Sequence, residues 1–171
     1  MPNWVQNDIS IKTNNPILAD LMQKVANDNK VEFFNTICPI GEWDYDRAIE
    51  KWGCKWEIKH VYAQVSIEKN DDYVLNVSGD TAWVFPENFL NYVLDTFTTD
   101  EYFVNVACVW LEDQGYWGHF IDGSQVAEGF LTIKDIRAKT EASKLLYEHF
   151  GVDEDWLTCD NGEGLGSDED E

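Results

Sequence analysis

The chain has 171 residues, 33 of them acidic and 12 basic, giving a formal net charge of −21. Hydrophobic residues make up 44% and aromatic residues 14%, which excludes wholesale disorder and is enough for one domain with a sizeable core. A charge this negative excludes ordinary binding to a phosphate backbone, which needs clustered Lys and Arg.

Residues 3–12 put Val5, Asn7, Ile9 and Ile11 on one side and read as a strand. Pro16 opens a helix with apolar positions Ile17, Leu18, Leu21, Met22 and Val25, and Asn27-Asp28-Asn29 ends it. Val31 to Ile37 reads as a short extended piece, followed by the turn-rich connector CPIGEWD. Asp44 to Trp52 makes a short helix closed by Gly53. Extended character then appears at Trp56-Glu57-Ile58, at Val61 to Glu68 and at Tyr73 to Val77, with Asn70-Asp71-Asp72 as a hairpin turn. Pro86 starts a second long helix with Phe89, Leu90, Val93, Leu94 and Phe97 on one face. Tyr102 to Leu111 is a strand, Tyr116 to Ile121 and Gln125 to Leu131 form a hairpin around Asp122-Gly123, and Ile136 to Phe150 is one helix ended by Gly151.

This order predicts an α+β fold: a ferredoxin-like antiparallel sheet with extra strands and packed helices. Residues 1–158 form that single domain and 159–171 an acidic flexible tail. From Asn161 on, Leu165 is the one large apolar residue, too little burial to offset the entropy of ordering. No apolar run approaches ~18 residues, and the opening MPNWVQND has no basic region followed by an apolar one. A cytoplasmic protein without a membrane span is expected.

The charge is uneven. Residues 1–69 carry ten acids and eight bases, whereas 70–133 carry eleven acids and no Lys or Arg. The stretch 151–171 adds nine acids and no base. High net charge keeps a protein soluble, and it also favours basic partners, including proteins that themselves bind nucleic acid. Asp71, Asp72, Asp80, Asp95, Asp100, Glu101, Glu112 and Asp113 are the candidate partner-binding residues, with the tail acids assisting as a flexible polyanion.

Eight tryptophans are a second distinctive feature. Trp52 and Trp56 flank Gly53, Trp83 precedes the second long helix, and Trp117 stands beside acids and a histidine. Tryptophan suits core packing and also stacking on flat ligands. Trp52, Trp56, Trp83 and Trp117 therefore form an alternative candidate pocket for a nucleotide-like signal, although no Gly-rich phosphate loop accompanies them.

Chemistry-bearing motifs are sparse. Glu112, Asp113 and His119 lie close along one predicted hairpin as an acid–base group, yet the chain has no GxSxG, HExxH, P-loop or kinase signature. No catalytic residue is assigned and the protein is read as non-enzymatic. Cys38, Cys54, Cys108 and Cys159 form no CxxC, and His60, His119 and His149 show no ligand spacing, so no metal and no cofactor is expected. The cysteines read as free thiols packed like small hydrophobes.

The opening MPNW, the block FFNTICPIGEWDYDRAIEKWGCKW, the later GDTAWVFPE and the segment WLEDQGYWGHFIDG, in that order, resemble the Api-type family of phage and plasmid proteins. The resemblance spans about residues 1–133. It departs from the family pattern at Val5, where cysteine is usual, at Cys54, where threonine is usual, and at Val84-Phe85-Pro86, where a Ser-Pro-Pro-like run is usual. It implies a ferredoxin-like N-terminal domain and a mobile-element origin, and it brings no catalytic residues. Together with the acidity, it leads to the expectation of a counter-defence inhibitor that mimics nucleic acid in the basic groove of a host defence or replication factor.

Overall fold

A computed structural model describes residues 3–28, 30 and 32–159. Alternation of buried and half-buried residues makes Trp4–Thr13 the central strand β1, with every odd residue from Val5 to Thr13 buried. The helix α1 (Pro16–Asn27) follows, its first turn capped by Asn15 Oδ1, which accepts from the backbone of Ile17 and Leu18. Leu18, Met22 and Val25 are buried on α1, whereas Ile17 is 67% exposed because it lies one residue off that stripe.

Next come two short helices, α2 (Phe33–Ile37) and α3 (Tyr45–Trp52). The extended piece expected over Val31–Ile37 is therefore a helix from Phe33 on, with Glu32 extended at its entry. Its signal lies outside the segment: the Glu57 carboxylate accepts from the Phe34 and Asn35 backbone at 2.7 and 3.0 Å, where an N-terminal cap would act. Drawing Glu57 under α2 also keeps Trp56-Glu57-Ile58 out of the sheet, contrary to the sequence reading. The α3 helix has its predicted ends, with Asp44 accepting from Arg47 N and Gly53 in the left-handed region at φ 81°.

The strands β2 (Lys59–Ile67) and β3 (Tyr73–Ala82) form a hairpin, and α4 (Glu87–Phe97) returns the chain to β4 (Val104–Glu112). A second hairpin, β5 (Tyr116–Ile121) and β6 (Ser124–Phe130), turns at Asp122-Gly123 with both residues at positive φ. Six strands form one antiparallel sheet in the order β2-β3-β1-β4-β5-β6. β2 is an edge strand, so Val61 and Ile67 stay exposed while Ala63 and Val65 are half-buried. The last predicted helix is two, α5 (Ile133–Ala138) and α6 (Glu141–Phe150), broken where Lys139 takes φ 52° and Thr140 caps α6. A further helix, α7 (Glu154–Cys159), was not expected. The tail from Asn161 lies outside the described residues. No helix of the described residues is long and apolar enough to cross a membrane.

Alternate residues of β4 enter two different cores. Val104, Val106, Cys108 and Trp110 join the main core beneath α1 to α4, while Val109 and Leu111 join Trp117, Leu146 and Val152 beneath α6. His149 of α6 meets the Asp8 carboxylate of β1 at 2.6 Å across this second face. Gly118 sits directly opposite Trp110. A Cβ there would stand 2.4 Å from Trp110 Cζ2 and 2.1 Å from Gln125 Nε2. Gly118→Ala is expected to cost about 2 kcal/mol, read in a thermal melt as a midpoint lowered by roughly 4–8 °C.

Candidate functional site

The sheet register separates the eight candidate acids. Thr13 aligns with Tyr73 and Val104 at one end of the sheet, and Val5 aligns with Thr81 and Glu112 at the other. Asp71, Asp72, Asp95, Asp100 and Glu101 therefore gather at the first end, around the β2–β3 turn, the last turn of α4 and the α4–β4 connection. Asp80, Glu112 and Asp113 belong to the opposite end. Eight strand steps along β4 put about 27 Å between the two groups.

The acids also differ in availability. Asp95, Asp100 and Glu101 are exposed and join no ion pair among the described residues. Asp72 is buried, lies 3.6 Å from Lys12 Nζ and accepts from the Asn70 amide. Asp80 meets His60 Nδ1 at 2.9 Å. The base-free stretch thus does face an internal cation at Asp72, the ammonium of Lys12 on β1, and an imidazole partner at Asp80, His60 at the start of β2. Among the described residues, six of the twelve Lys and Arg are held in ion pairs, namely Lys12, Lys24, Lys51, Lys144, Arg47 and Arg137.

The four candidate tryptophans do not line one pocket. Trp52 is in the main core with its indole N–H donated to Cys38 O, and Trp117 is buried in the second core across the sheet. Trp56 and Trp83 do come together, but around an internal cation: Lys55 Nζ stands 4.3 Å from one ring centre and 5.0 Å from the other. Trp4 packs on Trp56 at 6.3 Å, and Trp43 donates to Lys55 O. The acid–base grouping of Glu112 with His119 is likewise not assembled. Glu112 shares a face with Trp110, whereas His119 pairs with Val109 and shares the opposite one.

The thiols of Cys38, Cys54 and Cys108 are free and buried. Burial pushes Cys38 up to about 11 and raises the other two further, which leaves them protonated and inert. The half-buried carboxyl of Glu57 has the largest consequence for pH among the described residues. Burial outweighs its backbone hydrogen bonds and raises it from the ordinary 4.5 to about 7. The folded protein then holds a proton that the unfolded chain releases, so stability present at pH 4.5 declines as pH rises to 7. The loss expected from this group is about 3 kcal/mol, and it is measured as the difference between wild type and Glu57→Gln in urea denaturation across that range.

A cleft that the sequence reading missed lies between α4 and the sheet formed by β4, β5 and β6. It has a volume of about 350 Å³ and is lined by Phe85, Trp110 and Tyr116, with Glu87, Glu112 and Glu128 among its other lining residues. Phe85 stacks on Trp110 at 5.2 Å and 6°, and Tyr116 meets Trp110 edge-on at 5.2 Å and 63°. Phe130 continues this row at 4.8 Å from Tyr116. Tyr116 donates its hydroxyl to Glu128 at 2.9 Å, and burial with Asp113 nearby raises the Glu112 carboxyl. Trp110 is only 4% exposed, and its indole N–H is the one buried side-chain polar atom without a hydrogen-bond partner among the described residues. A local signal was present: Phe85-Pro86-Glu87, Trp110-Leu111-Glu112 and Glu128-Gly129-Phe130 each place a glutamate two residues from an aromatic.

No protein-family model, curated protein or solved structure matches the chain.

Proposed function

We propose that the protein is a non-enzymatic inhibitor that mimics nucleic acid and occupies the basic groove of a defence or nucleic-acid-processing protein. The frame in this reading is ferredoxin-like, with the β5–β6 hairpin appended. Its support is the order β2-β3-β1-β4, with β1 antiparallel to both neighbours and helices after β1 and β3.

The observation that carries the function is the base-free stretch 70–133 with its eleven carboxylates. It folds into β3, α4, β4, β5 and β6 and spreads those acids over both ends of the sheet. Duplex DNA carries one charge per ~1.7 Å, or about 16 over the ~27 Å between the two groups. Ten carboxylates remain over that length once Asp72, buried against Lys12, is set aside, within a factor of two of that density, on a rigid frame with exposed Asp95, Asp100 and Glu101 at one rim. The resemblance to phage and plasmid proteins supports a host protein as the target.

The test is a pull-down on the immobilised full chain from bacterial lysate at about 50 mM and about 200 mM salt, with mass spectrometry of the eluates. Recovery of a nucleic-acid-binding protein at low salt, depleted at high salt, is the expected result. Recovery of no such protein at either salt concentration contradicts the proposal.

A further inference from the structure

We infer that the protein self-associates as a two-fold symmetric dimer, joining its β2 strand to β2 of a second copy in one continuous sheet. The inference is independent of the function proposed above. β2 is the outer strand beyond β3 and has no neighbour on its other side among the described residues. At the hairpin turn the Glu68 N–H donates to Asp72 O at 2.9 Å, in register with the Ser66–Val74 and Gln64–Asn76 pairs. Antiparallel ladders alternate, so Ser66, Gln64 and Tyr62 turn their main-chain groups to β3, while Ile67, Val65 and Ala63 turn theirs outward. Those outward N–H and C=O groups are an open template for another strand.

Proteins usually blunt such an edge with charge or proline. Lys59–Ile67 contains no Pro, Asp or Glu, and Lys59 at its entry is its one Lys or Arg. Val61, Tyr62 and Ile67 are all exposed along it. In a chain of net charge −21, an acid-free edge is where two copies meet with least repulsion. The other edge, β6, carries Glu128 and follows the turn at Asp122. Pairing β2 with β6 of another copy would be head-to-tail and extend from copy to copy, whereas β2 against β2 closes at two.

Self-complementarity selects the register. An axis at Val65 uses all three outward residues of each copy, setting Val65 against Val65 and Ala63 against Ile67 for about six main-chain bonds. On one face these side chains extend the row of Leu75 and Val77, their β3 neighbours in the main core. On the other face Gln64 lies opposite Ser66, and no like charges meet. A groove of about 540 Å³ beside this edge has Val25 and Ala26 of α1, Phe33 of α2, and Val61 and Ala63 of β2 among its lining residues. Ile67 of the second copy, opposite Ala63, is placed to fill its apolar side. The acidic rims of the two copies then lie at opposite ends of the joint sheet.

The experiment is sedimentation of the full chain over a concentration series, with amide hydrogen exchange followed by NMR. A species of twice the 19.8 kDa chain mass is expected to dominate by about 200 μM. Raising salt from about 50 to about 200 mM strengthens it, because screening relieves the repulsion between the two net charges. Capture of a basic partner has the opposite dependence, so the two readings are told apart. The amides of Ala63, Val65 and Ile67 exchange severalfold more slowly at the top of the series than at its foot, while those of Gln64 and Ser66, already donated to β3, hold constant. Gln64→Glu with Ser66→Glu, both at exposed positions, sets two pairs of like charges opposite each other and weakens the dimer about tenfold, with secondary structure unchanged. A chain that sediments at 19.8 kDa throughout overturns the inference. So does a dimer whose added protection falls outside β2, or one that the double variant leaves as tight as wild type.

Discussion

Phe89→Ala is expected to lower the stability of the fold by about 4 kcal/mol, measured by urea denaturation with an unchanged dependence on denaturant. Phe89 is fully buried on α4, and its ring lies 5.0 Å from Phe33 and 4.6 Å from Phe34, both on α2. Phe34 in turn packs on Trp52 of α3 at 5.6 Å. One side chain therefore ties together three helices whose own lengths are too short for independent stability. Truncation leaves a cavity lined by rings that are themselves held in edge and tilted contacts, so it collapses only in part. Each aromatic pair lost adds about 0.5–1.5 kcal/mol to the area term. A measured cost below about 1 kcal/mol would place the ring elsewhere.

The second large effect concerns charge. The fourfold variant Asp71→Asn, Asp95→Asn, Asp100→Asn and Glu101→Gln clears the acidic rim at one end of the sheet without touching the buried Asp72–Lys12 pair. If each exposed charge contributes up to about 0.7 kcal/mol to a basic partner, the four together are worth roughly a 100-fold loss of affinity at low salt. The salt dependence should flatten in parallel, since fewer charges remain to be screened. Stability should hold or rise slightly, because net charge far from zero strains the folded state by self-repulsion. Binding by surface plasmon resonance over a salt series, beside a thermal melt, reads both. Unchanged affinity in the variant would mean that this rim is not part of the interface.

Sequence pattern carried the elements whose signals are local. Asn15-Pro16 starts α1, Asp44 and Gly53 bound α3, and Asp122-Gly123 turns the last hairpin, and each uses residues within a few positions of the feature. The α2 helix was not legible because its cap is Glu57, 22 and 23 residues away from the backbone it receives. The break between α5 and α6 was legible in principle. Thr132 with Asp135 forms a capping box, and Thr140 caps the next helix, but the continuous apolar spacing from Ile136 to Phe150 masked it.

The candidate sites divide along the same line. Base-free composition identifies a stretch of chain, whereas strand register decides where its acids go, and register divided the eight residues between the two ends of the sheet. Trp52 and Trp117 look alike in sequence but enter different cores because β-strand alternation and the sheet itself stand between them. The cleft was hidden because its six principal residues come from the α4 entry, two ends of a hairpin and the last strand. Only the repeated pairing of a glutamate with an aromatic two residues away marked it.

The most direct test of mimicry is competition for the partner recovered by pull-down. Fluorescence anisotropy of a labelled duplex bound to that partner should fall to the free-duplex value as the acidic protein is added, and the fourfold rim variant should need roughly 100-fold more protein to do so. Anisotropy that stays high or rises, as in a ternary complex with DNA still in the groove, would contradict the account.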